Sequence, residues 1–257
     1  IDAKKVLEHP PLLHNTPEKR EHRRLMQIGE RPNGCEYCWR IEDSSQNAIS
    51  DRPYKSMIYS EEELNDAFNT PYVFDTNLRT LEIAFDRTCN FACSYCNPAF
   101  STTWVKDIKT NGPYTNLVSD GRNHFTHVHD SSQLYGFSDT NPYVEAFFKW
   151  WESDLHKTLR ELRITGGEPL MSGHTWKLLE WIKANRGKSQ TKLAINSNLG
   201  MDSKKLNEFI EVIDGIPDIE IYTSCEAYGA DAEYIRDGLD YKQWFSNLVK
   251  LKSSGKI

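Results

Sequence analysis

The chain has 257 residues and a formal net charge of -6. That length holds one large core or two modest ones, an α/β barrel alone taking about 250 residues. No apolar run approaches the ~20 residues of a membrane span and no charged-then-apolar leader is present, so a membrane or secreted protein is not expected. Acids dilute the basic run Lys19-Arg20-Glu21-His22-Arg23-Arg24, which reads as a solvated helix face and makes nucleic-acid binding unlikely.

From Thr16-Pro17 to Ile28-Gly29 the sequence predicts a short helix, with threonine as N-cap, proline in the first turn and glycine just past the end. Arg31-Pro32-Asn33-Gly34 predicts a turn that delivers Cys35-Glu36-Tyr37-Cys38-Trp39. Ser60 and Glu63 form a capping box for a second helix running to Phe68. The stretch 69–73 is the expected boundary between an N-terminal segment, 1–75, and a larger domain, 76–257.

Leu81–Phe85 reads as a strand, and Leu162–Thr165, Leu193–Asn196 and Ile219–Thr223 as three more. Trp176, Leu179, Trp181 and Ile182 give the helix after the second strand an apolar stripe; Leu206, Phe209, Ile210 and Ile213, behind a Ser203 cap, do the same after the third. This alternation is that of an α/β fold with right-handed crossovers. The insertion 105–160 is too long for an ordinary connection. Within it Asn141-Pro142 starts a helix whose Val144, Phe147, Phe148, Trp151 and Leu155 form a core-packing face, while 112–140 has loop composition.

Six cysteines fall as a close pair, a close triplet and one isolated residue, a distribution that favours ligation over cross-linking and fits a reducing, cytoplasmic setting. The triplet Cys89, Cys93 and Cys96 follows the first strand at its C-terminal end, where parallel α/β folds build active sites. Three thiolates suit three corners of a 4Fe-4S cluster and leave one iron open to a ligand. Ordinary buried cysteines, or a zinc site completed by histidine, are the simpler readings.

Thr165-Gly166-Gly167-Glu168-Pro169 ends the second strand, its glycines letting a ligand approach the backbone beside a carboxylate. Asn196-Ser197-Asn198 ends the third, and Ser224, Glu226 and Arg236 follow in and after the fourth. Arginine's planar fork suits a carboxylate, and alternation turns Cys225 to the core face. His124, His127 and His129 read as solvated loop residues rather than a metal site. There is no G-x-S-x-G, phosphate loop or H-E-x-x-H.

The spacing C-x-x-x-C-x-aromatic-C, with Tyr95 before the last cysteine, resembles the signature of the radical S-adenosylmethionine (SAM) enzymes, and Gly-Gly-Glu-Pro after the next strand matches that family's glycine-rich element. The resemblance spans residues 80–236 and implies an incomplete (β/α) barrel with about four of six strands present. It implies Cys89, Cys93 and Cys96 as ligands of a 4Fe-4S cluster, with Tyr95 beside the adenine of SAM. Gly166, Gly167 and Glu168 would meet its amino group, and Asn196, Ser197, Asn198, Ser224, Glu226 and Arg236 its ribose and carboxylate. The implied activity is reductive cleavage of SAM to a radical that takes hydrogen from a peptide or small metabolite, with a reductant such as flavodoxin or ferredoxin.

Cys35-x-x-Cys38 is similar to the cysteine pair of twitch domains, shortened relatives of the SPASM auxiliary-cluster domain, and so implies a twitch-like N-terminal segment and an auxiliary iron–sulfur cluster. The start at Ile1 and the stop at Ile257 lead to the expectation of a fragment. A non-catalytic iron–sulfur or zinc scaffold and a degenerate SAM-binding partner subunit are the alternatives.

Overall fold

The computed structural model describes residues 1–118, 124–126 and 140–257; of the histidine-rich run, His127 and His129 lie outside the described residues. The described residues divide into two compact units, one comprising 1–80 with 140–158 and the other the remainder. The first unit begins with α1 (Ala3–Glu8), a 3-10 turn at Pro10–Leu13, α2 (Pro17–Gln27), α3 (Glu36–Glu42), α4 (Asp51–Ser56) and α5 (Glu61–Asn69). The second starts with β1 (Thr80–Ala84), β2 (Ala92–Cys93) and α6 (Thr102–Asn111). The chain then returns to the first unit for α7 (Pro142–Trp150), a π turn at Trp151–Leu155 and α8 (His156–Thr158). It completes the second with β3 (Glu161–Thr165), α9 (Gly173–Ala184), β4 (Lys192–Asn196), α10 (Ser203–Ile213), β5 (Ile219–Tyr222), α11 (Ala230–Ile235), β6 (Arg236–Asp237) and α12 (Tyr241–Ser253).

The local start signals act as their chemistry dictates. Thr16 Oγ1 accepts the Lys19 N–H at 3.1 Å, and Ser60 and Glu63 exchange both bonds of a capping box. α10 differs from the expected Ser203 cap: the Asp202 carboxylate accepts the Lys205 N–H at 2.8 Å and Ser203 is the first helical residue. An aspartate there adds a negative charge at the positive end of the helix.

In the first unit α1 packs on α7, burying Val6, Phe147, Phe148, Trp150, Trp151 and Leu155. Asn15 is fully buried: its amide donates to the carbonyls of Pro11 (3.0 Å) and Thr76 (3.1 Å) and accepts the Thr76 N–H (2.9 Å). The apolar stripe expected from Val144 to Leu155 is thus a core face, and the core it joins is that of the first unit.

The second unit is an α/β structure with a four-stranded parallel sheet, order β1-β3-β4-β5, flanked by helices. Leu162 pairs with Leu193, Ile164 with Ile195, and Ile195 with Ile221, so one face of the sheet is apolar. Leu178, Leu179 and Ile182 of α9 and Leu206, Phe209 and Ile213 of α10 are buried with it, each large side chain contributing roughly 1.5–3 kcal/mol. The opposite face carries Glu82 and Ala84 of β1, Glu161, Arg163 and Thr165 of β3, Lys192 and Asn196 of β4, and Glu220 and Tyr222 of β5. Parallel sheets usually bury both faces, so a charged one is a departure that function has to explain.

Among the described residues no helix is long and apolar enough to cross a membrane. Ile164 is fully buried at the middle of β3, whereas Val249 on α12 is 48% exposed. Ile164→Ala is expected to lower unfolding free energy by about 2–5 kcal/mol and Val249→Ala by under about 0.5 kcal/mol in urea titrations.

Candidate functional site

The cysteine loop runs from the end of β1 to α6 and is fixed chiefly by α6. The Ser101 hydroxyl, fully buried at the N-cap, donates to the Phe91 carbonyl at 2.7 Å and accepts the Thr103 N–H at 3.2 Å. Thr102 Oγ1 accepts the Cys89 N–H at 3.1 Å, Thr103 Oγ1 donates to the Cys89 carbonyl at 2.7 Å, and Trp104 Nε1 donates to the Cys93 carbonyl at 3.0 Å. The two-residue pairing of β2 with β6 sets Cys93 opposite Arg236. Backbone groups of Cys89 and Cys93 are thereby occupied, and none of the six cysteines of the chain forms a disulfide.

The glycine turn after β3 packs directly on this loop. A Cβ on Gly166 would come within 2.6 Å of the Asp86 carbonyl oxygen, and one on Gly167 within 2.4 Å of that of Thr88. Gly167 N–H donates to Asp86 O at 3.3 Å, and Glu168 N–H to Thr88 O at 2.6 Å. The room expected for a ligand against the glycines is therefore taken, on their Cβ side, by the protein's own cysteine loop. Gly166 has φ 118, a conformation open to glycine.

Glu168 is only 4% exposed. Its Oε1 accepts from the Leu170 N–H (3.0 Å) and the Ser197 hydroxyl (2.8 Å), and its Oε2 from the Asn198 N–H (2.6 Å). Burial pushes its pKa above the ordinary carboxylate value, while those three donors pull it down. Asn198 Nδ2 donates to Asn90 Oδ1 at 2.8 Å and lies 3.9 Å from the Cys89 sulfur. The next residue, Leu199, is held at φ 51, a strain of about 1–3 kcal/mol, and its carbonyl accepts from the buried Asn247 amide at 2.9 Å.

These loops enclose a cavity of about 250 Å³. Cys89, Cys93, Cys96, Tyr95, Gly166, Gly167, Asn196, Ser197, Asn198, Ser224 and Arg236 all line it. Glu168 and Glu226 do not: the first is the strut just described, and the second accepts the Tyr95 hydroxyl at 2.9 Å and lies 3.8 Å from Arg236. Arg236 is 5% exposed, donates through Nη1 to the Ser224 carbonyl, and keeps a buried Nε without a hydrogen-bond partner. A larger cavity of about 590 Å³, floored by Leu170, Met171, Trp176 and Met201, shares Asn198 with the first.

Burial raises the pKa of the Cys89 thiol; the Phe91 N–H lowers it, and Glu168, Cys93 and Cys96 raise it further. Burial also raises that of Cys96. Thiols so placed bind metal only by losing protons, which makes uptake pH-dependent. Among the described residues no three His, Cys, Asp or Glu side chains stand close enough to hold a single metal ion. A cluster makes a different demand, since each thiolate takes its own iron and the sulfurs need only face one space. The buried, unpartnered Arg236 Nε adds a place for an anionic group beside it.

Ser224, which lines the cavity, and Cys225 and Glu226, which do not, lie beyond the end of β5 at Tyr222, so alternation no longer governs them. Cys225 is exposed rather than in the core. Cys35 is the N-cap residue of α3 and Cys38 lies in its first turn, both half-buried, in the first unit. Phe91, Phe100, Thr165 and Tyr222 also line the cavity and escaped the sequence reading. Thr165 and Tyr222 could have been found by extending strand alternation to the rim. No protein-family model, curated protein or solved structure matches the chain.

Gly167→Ala is expected to push the cysteine loop off the turn and destabilise the protein by about 1–3 kcal/mol in chemical denaturation. Gly173→Ala, whose Cβ would meet nothing within 4 Å, serves as the control and should be neutral or stabilising by up to about 1 kcal/mol.

Proposed function

We propose that the protein is a radical SAM enzyme whose Cys89, Cys93 and Cys96 hold a 4Fe-4S cluster, and that its four-stranded sheet is part of an incomplete (β/α) barrel. The observation that carries the reading is a single cavity shared by three thiols, the Gly166-Gly167 turn, the polar strand end Asn196-Ser197-Asn198 and a buried arginine. A reduced cluster held by these thiolates would supply the one electron needed to cleave SAM reductively into methionine and the 5′-deoxyadenosyl radical that would take hydrogen from the substrate.

The chain's own residues hold, orient and shield. Thr102, Thr103 and Trp104 fix the backbone of Cys89 and Cys93, so the sulfurs meet iron without the loop having to reorganise. Arg236 lines the cavity and keeps a buried Nε without a partner, and the carboxylate of SAM is the candidate anion for this guanidinium. Ser197 and Asn198 are held by Glu168, which leaves Asn196 and Ser224 as polar contacts for a ribose. Tyr95 reaches across to Glu226 and presents a ring for the adenine. Phe91 and Phe100 displace water from the cavity wall.

A peptide or small-molecule substrate and a flavodoxin- or ferredoxin-type reductant belong to the same proposal. So does an auxiliary iron–sulfur cluster, for which Cys35 and Cys38 supply two thiolates.

Anaerobic reconstitution with iron and sulfide, followed by dithionite and SAM, tests the reading. The expected outcome is broad visible iron–sulfur absorption and 5′-deoxyadenosine formation, both abolished by Cys89→Ala, Cys93→Ala or Cys96→Ala. Zinc uptake without SAM affinity would instead select a scaffold, and SAM binding without cleavage a non-catalytic partner subunit; either refutes the enzyme.

A further inference from the structure

Cys35 and Cys38 belong to the first unit and share one turn of α3, Cys35 as its N-cap and Cys38 as its third residue. The distance between their Cα atoms is set by the dihedrals of Glu36 and Tyr37, both helical, and the Trp39 N–H closes the turn on the Cys35 carbonyl at 3.1 Å. Helix geometry puts Cα atoms three residues apart about 5 Å from one another. A disulfide spans Cα atoms about 4.4–6.8 Å apart, so the two sulfurs can join without unwinding the turn.

The turn is braced from both sides. Gly34 N–H donates to both carboxylate oxygens of Glu36 at 2.9 Å, which fixes the approach to Cys35. Arg31 donates through both Nη atoms to Asp43, just past the helix, at 2.7 and 2.8 Å, so the chain before the pair is tied to the chain after it. The Trp39 ring lies 4.9 Å from the Arg31 guanidinium and 4.0 Å from that of Arg52, which donates to Glu42 at 2.6 Å. The sulfurs themselves are unengaged. Cys89 accepts the Phe91 N–H, and Cys96 and Cys225 donate to the carbonyls of Asn97 and Ala227. Among the described residues neither Cys35 nor Cys38 has such a partner, and no third His, Cys, Asp or Glu joins them to hold a single metal ion. Both are half-buried and Tyr37 between them is 66% exposed, so a small reagent reaches the pair.

We propose that Cys35 and Cys38 form a thiol–disulfide exchange site that reacts with small disulfides of the glutathione disulfide type. One cysteine thiolate attacks a sulfur of the small disulfide and expels a thiolate, leaving a mixed disulfide on the protein. The thiolate of the other cysteine then attacks the protein-side sulfur, closes the Cys35–Cys38 bond and expels the second thiolate. The pair loses two electrons and two protons, and the small disulfide gains both to become two thiols. A closed pair has no thiolate to offer iron, so oxidation withdraws both auxiliary-cluster ligands proposed above and excess thiol restores them. The inference uses neither the thiol cavity nor SAM.

The test equilibrates the full chain, free of iron and SAM, anaerobically across a series of glutathione to glutathione disulfide ratios, then quenches it in acid, alkylates it and digests it with trypsin for mass spectrometry. Residues 25–40 emerge as one peptide, because Arg31 precedes proline, so both cysteines are read together. That peptide is expected to pass from doubly alkylated to an unlabelled form two hydrogens lighter than the dithiol. Half-conversion is expected to need roughly 3- to 10-fold less glutathione disulfide in the folded chain than in the same chain in concentrated urea, because the fold has already closed the loop. Cys35→Ser and Cys38→Ser are each expected to stop at a glutathione mixed disulfide on the remaining cysteine. A peptide that stays doubly alkylated throughout, a parent chain that stops at mixed disulfides, a bond from either cysteine to another peptide, or equal half-conversion in urea overturns the proposal. The measurement needs no cluster, so a failed reconstitution leaves this result standing, and the reverse also holds.

Discussion

One buried carboxylate joins the loops on which the candidate site depends. Glu168 accepts from Leu170 behind it and from Ser197 and Asn198 across the strand ends, while its own N–H reaches Thr88 at the foot of the cysteine loop. Loops following β1, β3 and β4 therefore meet at one residue. Burial raises the pKa of this carboxyl group, and three donors work against that rise by offsetting its lost hydration. The cysteine loop, fixed chiefly by α6, meets this junction at Thr88, and the junction sits at the end of strands whose apolar face packs with α9 and α10.

The two faces of the sheet differ in what they contribute. Leu162, Ile164, Leu193 and Ile195 on one face supply burial energy. The other face adds little to the core and instead presents Arg163, Lys192, Glu220 and Tyr222 in mutual contact below the cavity. A polar face is a cost to a parallel sheet, and the ion pairs on it limit that cost by answering one another.

Much of the second unit was legible from sequence because its signals are local. Apolar alternation located the four strands of the parallel sheet to within a residue or so but not the short β2 and β6, and Thr16, Ser60 and Glu63 cap the helices they were expected to cap. What escaped depends on neighbours distant in sequence. An apolar stripe from Val144 to Leu155 says that a helix packs, but not that α1 is its partner. Gly166 and Gly167 read as room for a ligand, while their Cβ directions are filled by Asp86 and Thr88. Cys225 was assigned to the core by an alternation that stops when β5 ends at Tyr222. The buried, unpartnered Nε of Arg236 is not visible until the chain is folded.

The account stands on three sulfurs serving one cluster with an iron left open to SAM. Electron paramagnetic resonance of the reconstituted, dithionite-reduced protein, recorded before and after adding SAM, tests this most directly. The account predicts a reduced-cluster signal whose shape changes on SAM addition and which is lost when Cys89, Cys93 and Cys96 are replaced by alanine. A signal indifferent to SAM, or one that survives loss of those three thiols, would contradict it.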